Sequence, residues 1–169
     1  MAENMGSVPM PPPCLHKPQC KETKSMPEKT FITERYQNVL SDEERVTLID
    51  ALKAIRNKVC WKPGKDIAHL KKRRRMKHLS GTLADYEQVI YDIVRNVQNI
   101  VYLYDFMVTH YYAVRGFSEN NEWLVIFGRG GLMETAFPPQ NIDEYLERRG
   151  FIFLGRVEEI LQWTKKVKI

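Results

Sequence analysis

The pattern of apolar and polar positions predicts a first helix that begins just after residue 40. Ser41-Asp-Glu-Glu44 fits a capping box, in which a Ser and the Glu three residues later satisfy free amide groups at a helix start. Apolar residues then recur at a three-residue step, at Val46, Ile49, Leu52 and Ile55. This step lines one face of a helix, so the pattern predicts a helix that packs on a core and runs to about Lys58.

A second amphipathic helix is predicted from Thr82 onward. Thr82-Leu-Ala-Asp85 repeats the capping pattern. The residues that follow supply an apolar stripe at helical spacing, formed by Tyr86, Val89, Ile90, Ile93, Val94 and Val97. This stripe predicts a second helix packed on the same core.

After Asn96 the sequence becomes rich in Tyr, Val and Phe, which favours strands. Strands are predicted at 100–108, 110–114, 123–127 and 132–137, with tight turns at 118–121 and 128–131. The connections are too short for helical crossovers, so successive strands should pair antiparallel. The sequence therefore predicts an antiparallel meander.

Three short elements are predicted after the meander. Asn141 can cap a helix through Arg148, residues 151–154 fit a short strand, and residues 157–166 fit a terminal helix. The full order predicts an α+β fold, with the N-terminal helices on one face of a small antiparallel sheet and short helices at the C-terminal end.

Composition divides the chain into three parts. Residues 1–30 hold six of the nine prolines and few large apolar residues, which predicts a disordered tail. Trp61, Pro63 and Gly64 interrupt the helical pattern. We therefore expect a helical N-terminal segment at 31–62 and an α+β domain at 63–169.

The sequence gives little sign of a metal, a cofactor or a membrane. Cys14, His16 and Cys20 could form half of a zinc site, but no second pair follows. Gly128-Arg-Gly-Gly131 lies between two predicted strands and fits a hairpin turn better than a phosphate loop. No apolar run approaches the length of a membrane span, and the N-terminus has no hydrophobic signal region. We expect no metal, no cofactor, no Sec signal peptide, and a cytoplasmic protein or one delivered into a target cell's cytoplasm.

Charge is concentrated in one strip, at 65–78. This strip contains seven Lys or Arg and one Asp, a net charge of +6, so the rest of the +5 chain sums to −1. A concentrated positive strip is typical of a surface that binds a polyanion, most simply nucleic acid. His69 and His78 at its ends can transfer protons near neutral pH.

Two short motifs contain candidate residues for chemistry on a phosphate. The first is Arg75-Met76-Lys77-His78, ahead of the Thr82-capped helix. The second is Thr135-Ala136-Phe137, on the last predicted strand of the meander. Together they resemble motifs of the ribonuclease toxins that share the RelE, barnase, EndoU and colicin fold, and most closely the tRNA-cleaving domain of colicin D. The likeness covers about residues 65–140. Thr135 and Phe137 stand where the colicin D domain favours Ser and Trp.

The resemblance implies a metal-independent endoribonuclease toxin that cleaves tRNA in the anticodon region. Cleavage would proceed by attack of the 2′-OH on phosphorus and leave a 2′,3′-cyclic phosphate. His78 would be the general acid or base, Lys77 and Arg75 would hold the scissile phosphate, and Thr135 would donate a hydrogen bond to a phosphate oxygen. Phe137 would give a base a stacking surface. The alternatives are a solvated His78, a structural Thr135 and a core Phe137.

Other residues are candidates for the same site. His69 could be the second imidazole of the reaction or a packing residue between Ile67 and Leu70. The remaining candidates for substrate contact are Lys72 and Arg74 in the strip and Arg115 and Tyr112 on a predicted strand. Either face of that strand could border the cleft.

The expected partners are RNA, most specifically tRNA, and a cognate immunity or antitoxin protein of acidic character; no membrane partner is expected. The alternative is a non-catalytic nucleic-acid-binding or phage-associated adaptor that uses the same strip. The two readings differ in proton chemistry, because a binder needs only the charge of the strip while an enzyme needs His78.

Overall fold

A computed structural model describes residues 39–163. The expected tail at 1–30, the Cys14/His16/Cys20 group and the end of the terminal helix lie outside the described residues. The helices are α1 (Asp42–Asn57), α2 (Lys65–Arg75), α3 (Leu83–Arg95), α4 (Ile142–Arg149) and α5 (Val157–Gln162). The strands are β1 (Cys60–Trp61), β2 (Ile100–Phe106), β3 (Thr109–Ser118), β4 (Asn121–Phe127), β5 (Leu132–Phe137) and β6 (Ile152–Arg156).

Both predicted capping boxes are present. The Ser41 hydroxyl accepts from the Glu44 amide at 3.3 Å, and the Glu44 carboxylate accepts from the Ser41 amide at 2.7 Å. Thr82 and Asp85 make the same reciprocal pair at the start of α3. These caps satisfy amide groups that a helix start leaves free, and α1 and α3 begin where the sequence predicts.

The basic strip folds into a helix of its own, which the sequence analysis did not predict. Helix α2 has Gly64 at its N-cap and no side-chain cap, and only Leu70 and Arg73 of its residues are buried. A helix with so few buried residues has no apolar period to reveal it. Lys, Arg, Leu and Ala are nevertheless good helix formers, and Leu70 attaches the helix to the main core.

The six-stranded sheet has the order β1-β5-β4-β3-β2-β6. Strands β2 to β5 form the predicted antiparallel meander, and β6 returns to pair antiparallel with β2. The short strand β1 pairs parallel with β5 and makes the sheet mixed. Glu119 and Asn120 both have positive φ in the two-residue turn between β3 and β4, a turn geometry that matches the twist of a hairpin.

Helices cover both faces of the sheet. The larger core holds the buried residues of α1, α3 and α5 against one face, so the N-terminal helices lie on one face as predicted. The shorter helix α4 contributes Ile142 and Leu146 to a second core on the other face. Helix α2 contacts α3 and strand β5, and this position brings the basic strip beside Thr135 and Phe137.

Helix α1 shares the main core with the rest of the described chain. Leu48, Leu52 and Ile55 are fully buried in the same cluster as residues of α3 and β3 to β5. Residues 60–61 also belong to the sheet. The division expected between 31–62 and 63–169 therefore does not coincide with a break in packing.

Gly131 tests how closely α1 is packed on the sheet. A Cβ at this position would lie 2.7 Å from the Ile55 amide nitrogen and 2.8 Å from the Ala51 carbonyl oxygen, and φ is +74°. Gly131→Ala should therefore lower the free energy of unfolding by more than the ~1–2 kcal/mol that left-handed backbone alone costs. Denaturant unfolding measures this. Gly130→Ala is the control, because φ is +65° there and nothing lies within 4 Å of the added Cβ; equal losses in the two variants would contradict the close packing.

Candidate nucleic-acid site

The C-terminal end of α2 folds back so that His78 lies beside Arg73. The His78 amide donates to the Arg73 carbonyl at 2.9 Å, and the Lys77 amide donates to the Arg74 carbonyl at 3.0 Å. This pair of bonds is a Schellman motif, which needs a left-handed residue just past the helix. Lys77 occupies that position with φ of 58°, although glycine adopts such a conformation with less strain.

The side chain of His78 is half-buried and hydrogen-bonded. Its Nδ1 lies 3.1 Å from Nη1 of Arg73. A guanidinium group can only donate, so Nδ1 accepts, and the neutral imidazole carries its proton on Nε2. The ring meets Trp123 edge-on, with centroids 6.5 Å apart. Burial and the positive charge of Arg73 both lower the pKa of His78.

Arg73 is the central residue of the site and was not among the predicted ones. It is 3% exposed, and in the described part of the chain it is the one buried residue with a charged side chain. No described carboxylate lies within ion-pair distance of it, and its Nε has no hydrogen-bond partner. The guanidinium lies over the ring of Phe137, at 5.5 Å from the centroid. Burial lowers the pKa of Arg73, and the nearby Tyr86 opposes this effect.

The second histidine meets strand β5. His69 Nδ1 lies 3.4 Å from the Thr135 hydroxyl, and its ring stacks on Trp61 with centroids 6.0 Å apart. Burial lowers the pKa of His69, and the charges of Lys65 and Arg73 lower it further. The site therefore places two imidazoles of lowered pKa near one buried cation.

A bulge in β5 sets the direction of its side chains. The register shifts opposite Ile126 and Phe127, so that Thr135 pairs with Ile126 and Phe137 pairs with Leu124. Glu134 is the extra residue, and its carboxylate binds the ammonium groups of Lys62 and Lys65. Burial raises the pKa of Glu134, but the hydrogen bonds from the two lysines outweigh burial and lower it. The bulge thus turns Thr135 and Phe137 toward α2.

A cleft of about 450 Å³ opens beside His78, lined by Arg74, Lys77, His78, Leu79, Ser80 and Glu119. The Arg74 guanidinium donates twice to the Gly81 carbonyl, at 2.8 and 2.5 Å. Arg74 therefore closes the loop between α2 and α3. Lys77 is exposed at the cleft, and its ammonium group has no ion-pair partner among the residues that the structure describes.

The structure brings together His69, Thr135, Phe137 and His78 around Arg73, as the contacts above describe. Lys72 and Arg75 are exposed on α2. These two residues can add to the positive field of the helix, but no described hydrogen bond fixes their side chains.

Two predicted substrate-binding residues are placed elsewhere. Tyr112 is 1% exposed and packs on Phe127, so its ring is part of the main core. Arg115 binds the carboxylates of Glu122 at 2.5 Å and Asp143 at 2.7 Å. Burial lowers the pKa of Arg115, but these hydrogen bonds outweigh burial and raise it. Its charge is compensated within the protein, and this placement fits a structural role.

Comparisons with known proteins add no further information about the site. No family model matches the chain, and neither a curated protein nor a solved structure does. Among residues 39–163, no group of three or more His, Cys, Asp and Glu could hold a metal ion. Within the same residues, no helix is long and apolar enough to cross a membrane. Function is therefore inferred from geometry and charge.

Replacing Lys77 with glycine should stabilise the protein. Lys77→Gly removes the strain of a left-handed side-chain-bearing residue and should raise the free energy of unfolding by about 0.5–1 kcal/mol. Urea unfolding measures the change. Lys77→Ala is the matched control, because it removes the same charge and keeps the strain. If the glycine variant is no more stable than the alanine variant, the Lys77 backbone is not strained.

The two buried histidines should make the protein sensitive to acid. In the folded protein the pKa values of both histidines lie below the ordinary 6.5. At a pH between these lowered values and 6.5, the folded state therefore binds fewer protons than the unfolded state. The free energy of unfolding should therefore fall as the pH drops through 6.5. Urea unfolding from about pH 7.5 to about pH 5.5 covers this window. In the double variant His69→Gln, His78→Gln, the free energy of unfolding should fall much less over this range. An equally steep fall in that variant would show that these two histidines do not cause the acid sensitivity.

Proposed function

We propose that this protein is a metal-independent endoribonuclease that cleaves tRNA in the anticodon region. The observation that carries the proposal is the pair of His78 and Arg73 at the end of the most positive helix. His78 is an imidazole at a cleft, and Arg73 is a buried cation without an acidic partner in the described part of the chain. Charge that can hold a phosphate lies next to a group that can transfer a proton. These are the two requirements of RNA transesterification.

In this proposal His78 acts on the attacking 2′-OH. The 2′-OH must lose a proton as it attacks phosphorus, and a neutral imidazole can accept it. The lowered pKa of His78 favours the neutral form near pH 7. Release of Nδ1 by Arg73, or rotation of the ring, has to precede the transfer, because Nδ1 is the acceptor in the free protein.

His69 is the second acid–base group in this proposal. The departing 5′-oxygen must gain a proton, and His69 lies on the same helix beside Thr135. The negative charge of a bound phosphate raises the pKa of a nearby imidazole, which favours the protonated form that His69 needs as an acid. The Thr135 hydroxyl then donates to a phosphate oxygen or orients the His69 ring.

Exposed cations and aromatic rings position the substrate. Lys77 at the cleft and Arg75 on the same helix hold the scissile phosphate, with Lys72 adding to the field. The ring of Phe137 has Arg73 over its face and Tyr145 against its edge, with centroids 5.3 Å apart. Its first role is therefore to hold Arg73, and base stacking would use what remains of its surface. An acidic inhibitor fits the same basic surface by charge.

A second function is favoured by the state of the two histidines. The Nδ1 atom of each ring has a protein partner, Arg73 for His78 and Thr135 for His69, and each ring packs on a tryptophan. Histidines held in this way can be structural. The strip would then bind nucleic acid without cleaving it, as a binding or adaptor protein would.

Incubation of the purified chain with total tRNA in EDTA separates the two functions. We expect discrete fragments that end in 2′,3′-cyclic phosphate, and a loss of at least about 10²-fold in rate in His78→Ala, because a positioned imidazole contributes about that much. His110→Gln is the control, because His110 lies outside the cleft and contacts Glu44 and Asp105 instead. Tight, salt-sensitive binding without cleavage would exclude the enzyme and leave the binding protein.

A further inference from the structure

Arg73 differs from the half-buried Arg115 in having no acid beside it among the described residues. Arg115 is more exposed than Arg73 and yet binds two carboxylates. The Arg73 side chain makes one hydrogen bond, to the unprotonated Nδ1 of His78, and lies over one aromatic ring, that of Phe137. An unpaired charge inside a protein is costly, and an apolar residue of similar volume often replaces a buried charge without loss of stability. The fold alone therefore gives no reason for an arginine at this position.

The free donors of Arg73 match a phosphate group. Nη1 is used on His78, and Nε has no hydrogen-bond partner among residues 39–163. The Nε–H and Nη2–H bonds of a guanidinium point in parallel, and this pair is suited to two oxygens of one phosphate. Arg73 can therefore hold His78 with one nitrogen and a phosphate with the other two.

We propose that Arg73 binds a phosphodiester of the RNA backbone, in a site that it forms with His78 at the end of α2. The proposal rests on the proposed function for its ligand and adds a binding residue that the basic motif of residues 75–78 does not include. Because Arg73 is 3% exposed, the side chains that cover it must shift when the phosphate enters. Lys77 and Arg74 border the adjoining cleft and would guide the backbone toward it.

The test measures affinity for an RNA that cannot be cleaved. A fluorescent single-stranded oligonucleotide of mixed sequence with 2′-O-methyl groups is titrated into the full chain, and anisotropy gives the dissociation constant. Arg73→Met should weaken binding at least about tenfold, since charge-assisted bidentate bonds are the strong ones. Lys71→Met is the matched control, because Lys71 is an exposed cation of the same helix with no assigned role in the site, and it should weaken binding less than about threefold.

Stability provides the second readout. If Arg73 is kept for a ligand, the free Arg73→Met protein should melt at the wild-type temperature or above. Arg73→Lys keeps the positive charge but not the paired donors of a guanidinium. This variant should fold, and it should bind the oligonucleotide more weakly than wild type does. It therefore keeps the test decisive if the methionine variant does not fold. Equal weakening by Arg73→Met and Lys71→Met, or wild-type affinity in Arg73→Lys, would overturn the proposal.

Two further arms separate the alternatives. The His78 Cε1–H resonance should move with the oligonucleotide and not with inorganic phosphate at the same phosphate concentration; equal movement would assign the site to free phosphate instead. Since the oligonucleotide is not a substrate, the result does not depend on turnover. If tRNA is not cleaved but Arg73→Met loses affinity, the ribonuclease proposal is wrong and the Arg73 site stands. If Arg73→Met cleaves and binds like wild type, the Arg73 site is wrong and the ribonuclease proposal stands.

Discussion

The hydroxyl of Tyr86 holds the site together. It donates to the Ala136 carbonyl at 2.6 Å and accepts from the Ala136 amide at 3.2 Å, so one side chain of α3 satisfies both backbone groups of a β5 residue that lies beyond the stretch paired with β1. The ring is fully buried between Trp61 and Trp123, and burial raises the pKa of Tyr86 to about 12. The phenol therefore stays protonated and able to donate. Because Ala136 lies between Thr135 and Phe137, this contact fixes both of those residues relative to α3.

The cations of the basic strip lie in different environments, although they follow one another within about one turn of α2. Arg73 is buried against Phe137, Arg74 closes the loop through Gly81, and Lys72 and Arg75 remain in solvent. His69 and Arg73 are four residues apart, a spacing that places them on one side of a helix. A uniform patch of charge would bind any polyanion by counterion release. The difference in burial is what gives this strip a defined centre.

Much of the fold follows from local sequence signals, while the centre of the site does not. The capping boxes at Ser41 and Thr82 and the short turns of the meander predict where elements begin and pair, because their physics is confined to a few neighbouring residues. Helix α2 has no apolar stripe, so nothing local separates Arg73 from the arginines beside it. Its burial depends on the bulge at Glu134 and the position of β5, which are long-range features. The same limit applies to Tyr112, since the period of a strand gives two faces and only tertiary packing decides which one is buried.

Three features that oppose stability meet at the end of α2. Lys77 has a left-handed backbone, Arg73 is a buried charge without an acid, and the pKa of His78 is lowered by burial and by that charge. Glycine at residue 77, methionine at residue 73 and glutamine at residue 78 would remove these three costs one by one. Strained and unpaired groups are found preferentially at functional sites. Their coincidence within six residues, at a cleft and on the most positive helix, supports a functional centre at the end of α2, and Arg73 adds to it a residue outside the motif at residues 75–78.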